Sequence, residues 1–300
     1  MSLPLISWAV NLVPFQDPGR LLRQQRMLSS VNAMIELGVP LVPLNITTPE
    51  ESQEIQGWRL EETIVETTRT RLDAQGAPFP FVRDLFDRAA QHAKKQGHLY
   101  FAIMNGDIIL QPKLFTKLEE FIEVGMENII FSRTDVEDFP PDFQKRRNIY
   151  VVGQDIWVVK TDWWEKNRNL FPNSIFPVRG WDVLYTSLML CHSTAYLQNT
   201  EGDLCYHVRH SQGCGNDLYN SYNFDIEHGK WRIYSQRHNH YQYMVLQFYE
   251  KHQRMLNDEE NAQFISAIFT PPTKEELDYS ASLEKAFLEG RKESYMKVVI

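Results

Sequence analysis

The strongest constraint on the fold lies in the first forty-six residues, which are predicted to form a strand, a helix and a second strand with short connections. Leu5–Val13 is an apolar run rich in β-forming residues, and it ends at Pro14. Leu21–Leu37 has apolar residues at helical spacing, and Gly38 follows as a stop signal. Val39–Ile46 is again apolar. Such a unit requires two parallel strands joined by a right-handed crossover.

The alternation of strands and helices continues along the chain. The predicted elements are a short strand at Thr63–Thr68, a helix at Phe81–Gln96, a strand at His98–Met104, a helix at Pro112–Val124, strands at Asn128–Arg133, Gln154–Lys160 and Ala195–Gln198, and a helix at Trp181–His192. From Lys230 onward the pattern is mostly helical. We therefore predict an α/β fold with a doubly wound, mostly parallel sheet at residues 1–228, and a C-terminal helical extension at 229–300 packed on it.

Composition excludes several classes of protein. The chain has 31 Lys and Arg against 39 Asp and Glu, a formal charge of −8, which argues against a nucleic-acid partner because such a protein needs a basic face. A nucleotide stays possible, since a metal ion can neutralise a diphosphate. The three cysteines show no CxxC spacing, which fits a reducing compartment. No stretch approaches the roughly eighteen apolar residues of a membrane span, so we expect a cytoplasmic protein without a transmembrane segment.

The segment Asn105-Gly106-Asp107 follows the most apolar predicted strand. A carboxylate at the carboxyl end of a central parallel strand lies where such sheets bind ligands. We expect Gly106 to permit a tight turn that directs Asn105 and Asp107 at the crevice. A hard divalent cation prefers oxygen ligands of this kind and can bridge two phosphates. The same three residues are also common in ordinary turns, so both interpretations stay open.

Two further groups of polar residues have alternative interpretations. Asp182 begins a predicted helix, where it is either a first-turn acid that favours the helix dipole or a general base for an acceptor hydroxyl. His207 and His210 would face opposite sides of an extended segment, but on a turn both could bind one metal ion. His238 and His240 lie in a polar, predicted helical stretch and are expected at the surface.

Taken in order, these motifs resemble the GT-A-type glycosyltransferases, and among them a family-two-like bacterial, often cyanobacterial group. The motifs that carry the resemblance are Phe15 and Pro18, Ser29-Ser30, Asn45, Pro80–Phe86, Tyr100–Leu110 with Asn105 and Asp107 as the Asx-x-Asp pair, Ser132–Asp135, Gly153–Val159, Gly180–Asp182, and His207 with His210. They span roughly residues 5 to 212, and their order and spacing carry the resemblance. Asn105 departs from the commonest pattern, in which an Asp stands there.

The resemblance implies a glycosyltransferase that moves a sugar from a nucleotide-diphosphate donor to an unidentified acceptor with the help of Mn²⁺ or Mg²⁺. It places the metal at Asp107 with His207 or His210, and it makes Asp182 the base of an inverting displacement. The residues implied in nucleotide binding are Phe15, Asn45, Arg83, Asp84 and Asn105, with Arg83 and Asp84 near the nucleobase. Arg133 and Asp135 would position the sugar or brace the loop.

Two alternatives remain. A non-catalytic binding or assembly protein of the same fold is one, because the fold alone does not define an activity. A sugar-phosphate nucleotidyltransferase is the other, but it would be expected to carry a Gly-rich basic loop after the first strand. In this chain that loop, Pro14–Arg20, has a single glycine.

Overall fold

The computed structural model describes residues 3–14, 17–52, 54–61, 64–73, 75–141, 148–149, 154–198, 204–210 and 217–282. The strands are β1 (Ile6–Val10), β2 (Leu41–Ile46), β3 (Arg59–Glu61), β4 (Tyr100–Met104), β5 (Ile108–Leu110), β6 (Asn128–Phe131), β7 (Thr134–Val136), β8 (Asn148–Ile149), β9 (Ile156–Lys160), β10 (Ala195–Gln198) and β11 (Cys205–Val208). The helices are α1 (Pro18–Glu36), α2 (Thr68–Arg71), α3 (Val82–Gln96), α4 (Pro112–Glu123), α5 (Thr161–Asn167), α6 (Trp181–His192), α7 (Asp217–His228), α8 (Arg232–His252) and α9 (Asp258–Ile268).

The central sheet has seven strands in the order β10-β6-β9-β4-β1-β2-β3. Every neighbouring pair is parallel except the two formed by β9, which runs antiparallel between β4 and β6. Apart from Ser7 and Asn128, the buried side chains of β1, β4, β6 and β9 are apolar on both faces, as expected for strands covered on both sides by helices. The predicted mixed α/β fold with a mostly parallel sheet is confirmed.

The predicted strand at Thr63–Thr68 is wrong in its described part. Thr68 begins α2, and the Thr67 side chain accepts a hydrogen bond from the Thr70 amide, 3.4 Å away, in a capping box. Threonine favours strands through its branched side chain, but here its hydroxyl caps a helix instead. The edge strand of this side of the sheet is β3, at Arg59–Glu61, and Thr63 lies outside the described residues.

A second sheet of four strands, in the order β5-β11-β7-β8, lies after the carboxyl end of β4. Within it β11 is antiparallel to β5 and parallel to β7. Its register places His207 opposite Ile108 on one side and opposite Asp135 on the other. The strands of this sheet are short, between two and four residues, and the sequence did not predict the sheet.

The C-terminal helices pack on the central sheet, as predicted. Tyr241 and Val245 of α8 and Ile265 of α9 belong to the same buried apolar core as the sheet. Asn261 adds a polar contact, because its side-chain amide donates to the Leu197 carbonyl of β10 at 2.7 Å. The division of the chain at residue 228 stays a prediction. Among the described helices, none combines the length and the apolar character needed to cross a membrane.

The expectation of a surface position is wrong for His238, which is fully buried, whereas His240 is exposed. His238 Nε2 lies 3.2 Å from Gln154 Oε1, at the start of the segment that leads into β9. Burial among apolar side chains disfavours the imidazolium and lowers the pKa of His238 to about 3. Within this polar stretch of sequence, His238 therefore makes a buried polar contact between α8 and the sheet.

Candidate metal centre

Asp107, His207 and His210 meet at one point beyond the carboxyl end of β4. The Asp107 Oδ2 atom lies 3.3 Å from His207 Nε2 and 3.2 Å from His210 Nε2. The two Nε2 atoms are 3.1 Å apart. His207 is buried, while Asp107 and His210 are partly exposed, so the cluster opens toward solvent on one side.

The topology of the second sheet explains this meeting. Asp107 ends the turn that connects β4 to β5, and β11 pairs with β5 so that His207 stands beside Ile108. The strand β11 ends at Val208, so His210 lies beyond the extended segment. Its side chain therefore reaches the same point as the side chain of His207. The open question of the sequence is thereby answered, because both histidines reach one point.

These three residues fit a divalent cation. Two ligand atoms that each lie about 2.1 Å from an ion are separated by about 3.0 Å at a right angle and about 3.4 Å at a tetrahedral angle. The three observed separations of 3.1, 3.2 and 3.3 Å fall in this interval. One carboxylate and two imidazoles form a mixed donor set, which suits Mn²⁺ better than the harder Ca²⁺. Three protein donors also leave coordination positions for a bound ligand.

Asp135 orients one of the candidate ligands. Its Oδ1 atom lies 2.8 Å from His207 Nδ1, so the imidazole turns its Nε2 atom toward Asp107. Burial opposes charge on Asp107, but hydrogen bonds with His207 and His210 outweigh burial and hold the pKa of the Asp107 carboxyl below its usual range. Burial likewise opposes charge on His207, but its contacts with Asp107 and Asp135 raise the pKa of the imidazole.

Arg133 bridges two carboxylates, and its role, to position the sugar or to brace the loop, stays a prediction. It is only 7% exposed, and its guanidinium donates to Asp135 Oδ1 at 2.9 Å and to Asp155 Oδ1 at 2.8 Å. Burial opposes charge on the guanidinium, but Asp155 and Asp135 outweigh it and raise the pKa of Arg133. Asn105 joins the same group, since its side-chain amide donates to Asp155 Oδ1 at 2.8 Å.

Asp182 is half-buried in the first turn of α6. Burial raises the pKa of its carboxyl to about 6, while the backbone amides of Val183 and of Asp182 itself act in the opposite direction. The charge of Asp155 raises the pKa of Asp182 further, and the charge of Arg133 lowers it. The role of Asp182, as a first-turn acid of the helix or as a base, stays a prediction.

The residues predicted to bind nucleotide have the following surroundings. Asn45 is buried at the carboxyl end of β2, where its Oδ1 accepts from the Leu12 amide at 3.0 Å. Arg83 is the second residue of α3, and its Nη1 atom donates to the Phe171 carbonyl at 3.4 Å. Burial and then the neighbouring Asp87 raise the pKa of Asp84. Phe15 lies outside the described residues. Their part in nucleotide binding stays a prediction.

Sequence reasoning missed two aspects of the site. Asp155 was included only as part of the motif Gly153–Val159, although its carboxylate accepts hydrogen bonds from both Arg133 and Asn105, and the contact of Asp135 with His207 was not foreseen. The sequence feature that could have indicated these contacts is that Asp residues recur near the ends of predicted strands. The expected turn is present at Gly106 and Asp107, but it does not depend on glycine, because Gly106 is not among the glycines with positive φ and an added Cβ would meet Leu12 at an ordinary 3.5 Å.

The chain has a mixed α/β fold with a mostly parallel central sheet, which the alternation of strands and helices predicted. No protein-family model matches the sequence, and no curated protein matches it.

Several solved structures are similar to this chain at low identity. S. aureus TarS in complex with UDP-GlcNAc matches 95% of this chain and 92% of that chain, with a TM-score of 0.49 and 11% identity. A mutant Drosophila beta-1,4-galactosyltransferase 7 in complex with manganese, UDP-Gal and xylobiose matches 71% of this chain and 78% of that chain, with a TM-score of 0.41 and 13% identity. The 4-diphosphocytidyl-2C-methyl-D-erythritol synthase of Anaerococcus prevotii matches 75% and 99%, with a TM-score of 0.40 and 12% identity.

Proposed function

We propose that this protein is a metal-assisted glycosyltransferase that moves a sugar from a nucleotide-diphosphate donor to an acceptor hydroxyl. The observation that carries the proposal is the convergence of Asp107, His207 and His210 at the carboxyl end of a central parallel strand, where sheets of this kind bind ligands. Their spacing supports a divalent cation, Mn²⁺ or Mg²⁺, as the partner of the donor's diphosphate.

In the proposed reaction, the acceptor oxygen attacks the anomeric carbon and the bond from that carbon to the diphosphate breaks. Asp107, His207 and His210 hold the cation, which when bound neutralises the charge that develops on the departing nucleoside diphosphate. Asp182 takes the proton of the acceptor hydroxyl. A carboxylate whose pKa is about 6 suits this role, because it is ionised near neutral pH and is still basic enough to accept a proton.

The proposal is tested first by donor binding. Unfolding is followed with a panel of nucleoside-diphosphate sugars, with and without Mn²⁺, because a ligand at about 100 times its Kd stabilises the native state by about 2.7 kcal/mol. We expect stabilisation that depends on Mn²⁺ in the wild type, and its loss in His210→Ala. The matched control is His240→Ala, since His240 is exposed on α8.

Equal stabilisation of His210→Ala and the wild type would remove the metal from the mechanism. Absence of binding by every donor in the presence of Mn²⁺ would overturn the proposed function. A donor that binds but yields no nucleoside diphosphate, with water or with any offered acceptor, would favour a non-catalytic binding protein.

A further inference from the structure

Asn105 uses a hydrogen-bond donor that a carboxylate does not have. Its Nδ2 atom donates to Asp155 Oδ1 at 2.8 Å, and its backbone amide donates to the Asp155 carbonyl at 3.0 Å. Its Oδ1 atom is buried as well. Two contacts therefore fix Asn105 against Asp155, and its side-chain donor is used there.

The charges around Asn105 explain why the side chain there is neutral. Three carboxylates, Asp107, Asp135 and Asp155, already lie around the guanidinium of Arg133, whose charge interacts with all three. An aspartate at position 105 would add a fourth carboxylate, and one of its oxygens would lie about as close to Asp155 Oδ1 as the Asn105 nitrogen does now. Two anionic oxygens at that distance in a buried group repel each other strongly.

A continuous chain of contacts connects Asn105 to the metal centre. Asp155 Oδ1 accepts hydrogen bonds from the Asn105 amide and from the Arg133 guanidinium, and that guanidinium also donates to Asp135. Asp135 in turn lies 2.8 Å from His207 Nδ1, and His207 is one of the candidate metal ligands. A change at position 105 that displaces Arg133 therefore reaches the orientation of His207.

We propose that Asn105 is a positioning residue, and that its uncharged amide supports cation binding by holding Asp155 and Arg133 in place. The inference rests on the metal site of the proposed function. The commonest form of the motif has an Asp at this position, and the inference implies that an Asp there would weaken cation binding in this chain.

The test measures Mn²⁺ alone, by the electron paramagnetic resonance signal of the free ion, in the full-length protein. We expect Asn105→Asp to weaken Mn²⁺ binding roughly 10- to 100-fold, the usual cost of disturbing residues behind metal ligands. The double variant Asn105→Asp/Asp155→Asn exchanges the amide and the carboxylate, and it should recover most of the affinity. Asn239→Asp adds the same charge at an exposed position of α8 and should change nothing.

Unchanged or tighter Mn²⁺ binding by Asn105→Asp would overturn the inference, and so would a folded double variant that does not recover. If Asn105→Asp does not fold, Asn105→Ala replaces it: a loss of roughly tenfold supports the inference, and unchanged affinity overturns it. No donor is present in this experiment. If the wild type binds Mn²⁺ but no nucleotide sugar, the proposed function is refuted, while the inference about Asn105 is still decided by the Mn²⁺ affinities of the variants.

Discussion

At Asp182, burial and the start of a helix act on one carboxylate in opposite directions. Burial raises its pKa to about 6, and the amides of Val183 and Asp182 limit that rise. A residue that only stabilised the helix would gain from being more fully ionised. The raised pKa is instead what a base working near neutral pH requires.

We expect Asp182→Asn to bind the donor and Mn²⁺ like the wild type but to transfer the sugar about 10²- to 10⁴-fold more slowly, because the amide cannot accept the acceptor's proton. Steady-state transfer assays and donor titrations measure the two effects separately. Asp162→Asn is the matched control, since Asp162 is an exposed first-turn acid of α5.

The pH profile gives a second measurement on the same residue. Only the ionised carboxylate accepts a proton, so kcat/KM of the wild type should rise with pH through about 6 and then level off. Full transfer activity in Asp182→Asn, with the same rising limb, would show that Asp182 only stabilises its helix.

Among the elements of the fold, α6 carries Asp182, and its position depends on Gly180. Gly180 precedes the first residue of the helix with φ of 101°, a conformation that side-chain-bearing residues rarely adopt. A Cβ at this position would also lie 2.8 Å from Glu227 Oε2 of α7. The Glu227 carboxylate ends a flexible side chain and can move aside, so the backbone conformation is the main reason for glycine here.

We expect Gly180→Ala to lower the free energy of unfolding by about 1–2 kcal/mol, the approximate cost of left-handed backbone in a residue with a Cβ. Gly106→Ala should change it by less than about 0.5 kcal/mol and retain Mn²⁺ binding, because that position has neither obstacle. Urea unfolding of both variants measures the difference. Equal stability of the two would show that α6 adjusts its start and that Gly180 is dispensable.

The sequence predicted elements best where an apolar run is long enough to show its period. β1, β2, β4 and β6 were found because each is a buried run next to a helix with a clear apolar face. The strands β5 and β7 follow β4 and β6 after only three and two residues, and β11 mixes polar with apolar residues, so none of them stands out as a separate element. Their pairing is what unites Asp107 with His207. The ligand types could thus be predicted from the residues and their meeting only through the family resemblance, whereas the contacts of Arg133 with Asp135 and Asp155 could not.

For the molecule as a whole, His238 lies where the C-terminal helices join the sheet. It is fully buried and neutral, with Nε2 facing Gln154. Its pKa is about 3 in the folded protein, against about 6.5 in an unfolded chain. Between these values the unfolded state binds a proton that the folded state does not. Stability is therefore lost as the pH falls below about 6.5.

We expect His238→Gln to reduce this pH dependence. Between about pH 7 and about pH 5, the wild type should lose about 2 kcal/mol more of its unfolding free energy than the variant does. Urea unfolding at several pH values measures the slope, which is informative even if the variant is less stable throughout. His240→Gln, on the exposed side of the same helix, should keep the wild-type slope. Parallel slopes for His238→Gln and the wild type would contradict the buried, neutral state of His238.

The antiparallel strand β9 has a consequence for how the chain is made. It lies between β4 and β6, although it follows both in the sequence. A ribosome that has synthesised β6 has thus produced one piece of sheet, β4-β1-β2-β3, and the single strand β6, and the edges of β4 and β6 that β9 will join have no partner yet. Those edges are apolar strands, the kind of surface on which nascent chains aggregate. The unpaired edges of β4 and β6 therefore stay prone to aggregation until β9 has been synthesised and inserts between them.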